Sequence, residues 1–185
     1  MKLLRTIRLD PSDTFVFERA AEPGEWALVG SFAFWGEDIG ALAGKRRAAF
    51  RAGFLGVESL GHATLAVVAE ASEAERDAAV RRLAEQLVAR FGAPDSATAW
   101  PAAQEEIALS ASLADHPPGT LVAMHRTAQG EGVREQFRTL RRRADGEGGA
   151  DPRHLRAFSF FEAEEDGVAE EVDLVALARE GGSSR

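Results

Sequence analysis

The segment from Ser72 to Phe91 constrains this chain more than any other. Ser72 and Glu75 stand at capping-box spacing, where a hydroxyl and a carboxylate each satisfy a backbone N–H that the first helical turn leaves unpaired. Behind them Val80, Leu83, Ala84, Leu87, Val88 and Phe91 recur on one face as an apolar stripe. Gly92 and the following Ala93-Pro94 stop the helix, and Asp77 and Arg81, four apart, add a weak surface pair. A helix with one apolar face must lie on something, and the segments around it read largely as strands.

Lys2 to Leu9 alternates imperfectly up to the turn at Asp10-Pro11 and predicts a first strand. Thr14 to Glu18 and Trp26 to Phe34 are rich in aromatic and β-branched residues and flank a turn at Ala21 to Glu25, which predicts a hairpin. A helix is expected from Asp38 to Phe50 if Gly40 and Gly44 are tolerated. Gly53 to Gly56 and Ser59 to His62 read as glycine-punctuated loop, and Ala63 to Ala69 as a buried strand. A second helix is expected from Pro101 to about Asp115, although Ile107, Leu109, Ala111 and Leu113 also alternate as a strand would. Thr120 to Thr127 reads as a strand, Glu131 to Arg143 as a helix through Val133, Phe137 and Leu140, and Leu155 to Glu162 as a last strand before a short helix near 170–179. The sum is an α+β fold: a mixed, at least partly antiparallel sheet with helices packed mainly on one face. Residues 1–180 are expected to form a single domain, with 181–185 as a flexible tail.

No cysteine occurs in the 185 residues, which removes disulfides, thiolate metal sites and cysteine nucleophiles. No sustained apolar run follows Met1-Lys2-Leu3-Leu4-Arg5, so neither a signal peptide nor a membrane span is expected and the location predicted is cytoplasmic. The net charge of -8 argues against nucleic acid as a partner. All 22 basic residues except Lys2 and Lys45 are arginine, a bias that GC-rich coding explains. Eight acidic residues against two arginines after residue 156 hold most of the negative charge, and serve solubility or a contact with a basic element.

Gly40 to Arg46 resembles a phosphate loop only superficially: it is one residue short between the glycines and lacks the hydroxyl after Lys45. No cofactor is implied. His62, His116, His125 and His154 are scattered without metal-ligand spacing, and His125, on a predicted strand, is the one acid–base candidate. The anion-binding candidates are Lys45, Arg46, Arg47 and Arg51 on one element and Arg134 and Arg138 on another, for paired guanidinium groups can grip a carboxylate or phosphate. A solvated helix face explains the same residues. Exposure of Val29, Phe32 and Phe34 would instead favour a protein interface.

Lys2 to Asp10 with Phe15-Val16-Phe17, together with Gly53-Phe54-Leu55-Gly56, resembles a proteobacterial family of uncharacterised proteins. The resemblance implies no catalytic residue, and it implies an association with accessory genes for cofactor-dependent oxidoreductases. The leading expectation is a non-catalytic accessory or protein-interaction module with a protein partner. The alternative is a binding protein or enzyme for a small anionic metabolite held by the arginine clusters.

Overall fold

The structure, a computed structural model, describes residues 1–129, 132–142, 161–164 and 169–172. The main sheet runs β1 (Lys2–Ile7), β5 (Leu65–Glu70), β6 (Leu121–Gln129) and β7 (Gly132–Arg142), each antiparallel to its neighbour, with β8 (Phe161–Glu164) and β9 (Ala169–Val172) both on β7. A smaller antiparallel sheet holds β2 (Ala27–Leu28), β3 (Phe54–Gly56) and β4 (His62–Ala63). Four α-helices occur among the described residues: α1 (Ser12–Val16), α2 (Gly44–Ala52), α3 (Glu73–Arg90) and α4 (Ser96–Leu113). The α+β class expected from the pattern is the class observed. No helix among the described residues is long and apolar enough to cross a membrane.

The capping box at α3 forms as its spacing requires, and Val80, Leu83, Ala84 and Leu87 lie buried against Ala99, Ala103 and Ile107 of α4. Leu28 and Leu55 of the smaller sheet, with Val57 just after β3, join this layer. Their neighbours Ala27, Val29 and Phe54 point into a second layer with Leu4, Ala66, Val68, Val122, Met124 and Phe137 of the main sheet. Period-two alternation thus lets the smaller sheet separate two apolar layers.

Several expectations are corrected. The hairpin from residue 14 to residue 34 does not form. Asp10 captures the Ser12 N–H at 2.7 Å, Thr14 donates to the Pro11 carbonyl, and buried Asp13 accepts from the Thr64 N–H and hydroxyl, so side chains claim the backbone for α1. After β2, Gly30 turns the chain at φ +71° into a 3₁₀ turn, Ser31–Phe34, and a Cβ there would stand 2.6 Å from that of Leu55. Within the stretch expected as loop from Gly53 to Gly56, Phe54–Gly56 is strand β3 and Gly53 caps α2. Gly56 marks a close approach, since a Cβ on it would overlap the Glu25 carboxylate at 2.5 Å. The helix expected from Asp38 splits into a 3₁₀ turn, Ile39–Ala41, and α2, which starts at the left-handed Gly44.

α4 begins five residues before Pro101, because Asp95 caps it through the Thr98 N–H, and the strand alternative for 107–113 fails. The helix expected over 131–143 is strand β7: Val133 and Phe137, four apart, share a face in either geometry, and the long ladder with β6 decides. Residues 170–172, expected as helix, lie in β9, while 155–160, 173–179 and the tail lie outside the described residues.

Buried Glu25 fastens the loop between β3 and β4. Its carboxylate accepts from the backbone N–H groups of Glu22 (2.7 Å), Glu58 (2.9 Å) and Ser59 (2.8 Å). Glu25→Ala orphans all three donors, and the expected loss is about 3 kcal/mol of unfolding free energy in a urea titration.

Candidate anion-binding pocket

α2 presents Lys45, Arg46 and Ala49 to a pocket of about 290 Å³ that Glu18, Arg19, Leu60 and His62 complete. Arg46 is set before any ligand arrives. Its Nε reaches both oxygens of Glu37 at 3.1 and 3.2 Å, its Nη2 donates to Glu37 and to the Ala33 carbonyl, and its guanidinium lies 4.2 Å from the Phe34 ring centroid. Arg19 donates to the Ser59 carbonyl at 3.0 Å, in the loop that Glu25 fastens. Lys45 is exposed and has no ion-pair partner among the described residues. With Glu37 offsetting Arg46, the surplus charge of the pocket is one positive, from Arg19 and Lys45 against Glu18.

His62 forms the buried wall, 7% exposed, with its ring 5.7 Å from Phe17 and 5.9 Å from Phe34. Burial, then the guanidinium groups of Arg46 and Arg126, push its imidazole down to about 4, so it is neutral at pH 7. Its Nε2 is buried without a partner.

A second charged group lies inside the fold. Arg126 and Glu135 sit opposite each other on β6 and β7, fully buried, with Nε to Oε1 at 2.7 Å. Arg126 also donates to the carbonyls of Phe50 (2.7 Å) and Val29 (2.5 Å), which ties β6 to α2 and to the end of β2. Burial lowers the Arg126 pKa, opposed by the charge and hydrogen bond of Glu135. The Ser31 hydroxyl donates to the same Glu135 oxygen, and Glu106 of α4 accepts from the Gly30 N–H beside it. Phe34 adjoins both charged groups, with the Arg126 guanidinium 5.8 Å from its ring centroid.

The six predicted anion ligands do not converge. Lys45 and Arg46 line the pocket, whereas Arg47 and Arg51 are exposed on α2 and are not among its lining residues. Arg134 and Arg138 are exposed on the face of β7 opposite Val133, Glu135 and Phe137. The register sets Arg134 across from Glu171 and Arg141 across from Glu162. His125 stands across from Gln136 on that outer face, away from the pocket. Val29 and Phe34 are buried and Phe32 packs on the helical layer, so the aromatic interface conditional on their exposure is absent. Sequence reading passed over His62, Arg126, Glu135 and Glu106. The available signal was a charge in phase with buried positions: Arg126 follows Val122 and Met124, and Glu135 lies between Val133 and Phe137.

Compared with known proteins, residues 1–148 match one family. The chain belongs to DUF6505, a family of unknown function. The match covers the pocket, the buried ion pair and every ladder up to β6 with β7, and leaves β8 and β9 outside it. No curated protein and no solved structure matches the chain.

Proposed function

We propose that this DUF6505 chain is a binding module for a small anionic metabolite bearing a carboxylate or phosphate, held in the pocket between Arg19, α2 and His62. The observation that carries the reading is the state of the pocket's cations. Arg46 is locked in one pose by Glu37, Ala33 and Phe34, and Lys45 has no counter-ion among the described residues at the same wall. A pre-set guanidinium loses little freedom when an anion binds, and a partnerless ammonium gains a charge-assisted hydrogen bond. The volume suits a few-carbon acid or a phosphate ester at the small end of ligand pockets. Isothermal calorimetry with inorganic phosphate and with a short dicarboxylate tests it. Saturable binding to the native chain is expected, weakened about tenfold or more in Lys45→Glu. Equal heats from the two proteins would remove the pocket from consideration.

A second reading, the non-catalytic accessory module, is favoured by the exposure of Phe15 (73%) and Trp35 (67%). Aromatic side chains this open offer apolar area that a partner surface can cover. In the setting that the sequence resemblance implies, that surface belongs to a bacterial cofactor-dependent oxidoreductase system. Pull-down of the tagged chain separates the readings: Phe15→Ser with Trp35→Ser abolishes partner capture and leaves phosphate binding intact.

A further inference from the structure

Two carboxyl groups share the buried cluster with one guanidinium. Glu106 of α4 and Glu135 of β7 reach the same short stretch of chain. The Gly30 N–H serves Glu106, the Ser31 hydroxyl serves Glu135 Oε1, and Arg126 donates to the Val29 carbonyl beside them. Arg126 also donates to Glu135 Oε1, the Phe50 carbonyl and Met124 Sδ. One oxygen of each carboxyl, Glu106 Oε2 and Glu135 Oε2, is buried with no partner.

With both groups ionised, the cluster would hold a net negative charge away from water and two orphan acceptors, a state that the Gly30 N–H and Arg126 offset only in part. One proton removes both faults, since it brings the charge to zero and turns one acceptor into a donor. We infer that Glu106 holds this proton at neutral pH and donates it to Glu135 Oε2, directly or through one buried water, as a pH-responsive latch between α4 and the main sheet. The groups facing Glu106 are Arg126 from β6, Glu135 from β7, the Gly30 N–H and, on its own helix, Glu105. Burial first, then the charge of Glu135, hold the Glu106 carboxyl up at about 7, in line with this arrangement. Loss of the proton returns the charge to the interior and breaks the bond between the two carboxyl groups, which loosens α4 from β7.

Carbon-detected NMR of the full chain, with its glutamates labelled at the carboxyl carbon, tests the latch across neutral pH. One glutamate is expected to titrate near neutrality, with that signal absent in Glu106→Gln. Amide exchange in the middle of α4, corrected for base catalysis, is expected to speed up about tenfold or more as pH rises from about 4.5 to about 7, and to level off above it. If every glutamate of the native chain titrates below about 5, as unperturbed carboxyls do, the proposal is overturned. Exchange in α4 indifferent to pH would overturn it equally. The titration of the native chain decides the matter even if Glu106→Gln does not fold.

Discussion

Arg126→Met is expected to cost about 3–5 kcal/mol of stability, the largest loss of any single substitution considered for this chain. The side chain is fully buried, and its removal strands the Glu135 carboxylate in the interior beside Glu106. It also orphans the carbonyls of Val29 and Phe50, which no other side chain satisfies among the described residues. Most of that cost is the uncompensated charge rather than the worth of the pair. The double variant Arg126→Met with Glu135→Leu should therefore recover a large share of it, leaving the orphaned carbonyls and Ser31 to account for the remainder. Urea unfolding of the native chain and of the single and double variants reads both quantities. A single-variant loss under about 1 kcal/mol would mean that the pair is solvated rather than buried.

The second large effect is a pH dependence that the native chain conceals. Glu106 has its folded pKa raised, so its contribution is fully present below about 4.5 and is lost as pH climbs to about 7. His62 has its folded pKa lowered, so the unfolded chain takes up the proton first and stability is lost as pH falls from 6.5 toward about 4. At about 1.4 kcal/mol per pKa unit, each group swings stability by roughly 3 kcal/mol, in opposite directions over nearly the same window. The two slopes offset each other in the native chain. The lowered carboxylates of Asp10, Glu75 and Asp95 act below that window. Stability of Glu106→Gln should consequently rise with pH between about 4.5 and 6.5, and that of His62→Gln should fall. Urea titrations at a series of pH values measure both slopes, and parallel curves for native chain and variants would contradict the assignment of either group.

Much of the fold was legible because local chemistry and tertiary packing agree. In α3 the capping box, the apolar stripe and the glycine stop all name the same element. β7 was misread because Val133 and Phe137 suit a period of two as well as a helical one, and the partner strand that settles it is not local. Asp13 decided α1 through Thr64, fifty-one residues away, which no window over 10–18 contains. The candidate site was only half legible. Lys45 and Arg46 announce themselves as charge, but the neutrality of His62 comes first from its burial and then from Arg46 and Arg126, and neither the burial nor the approach of Arg126 is visible in a local window. Arg47, Arg51, Arg134 and Arg138 look the same in sequence, and only burial and strand face separate them from the pocket.

The central claim, that the pocket takes a small anion against His62, is tested most directly by histidine NMR of the full chain during a phosphate titration. The account predicts that the His62 ring signals move and saturate, that its protonation midpoint rises as the incoming charge offsets Arg46 and Arg126, and that His125 on the outer face stays still. Movement of His125 alone, or an unmoved His62 at saturating phosphate, would contradict it.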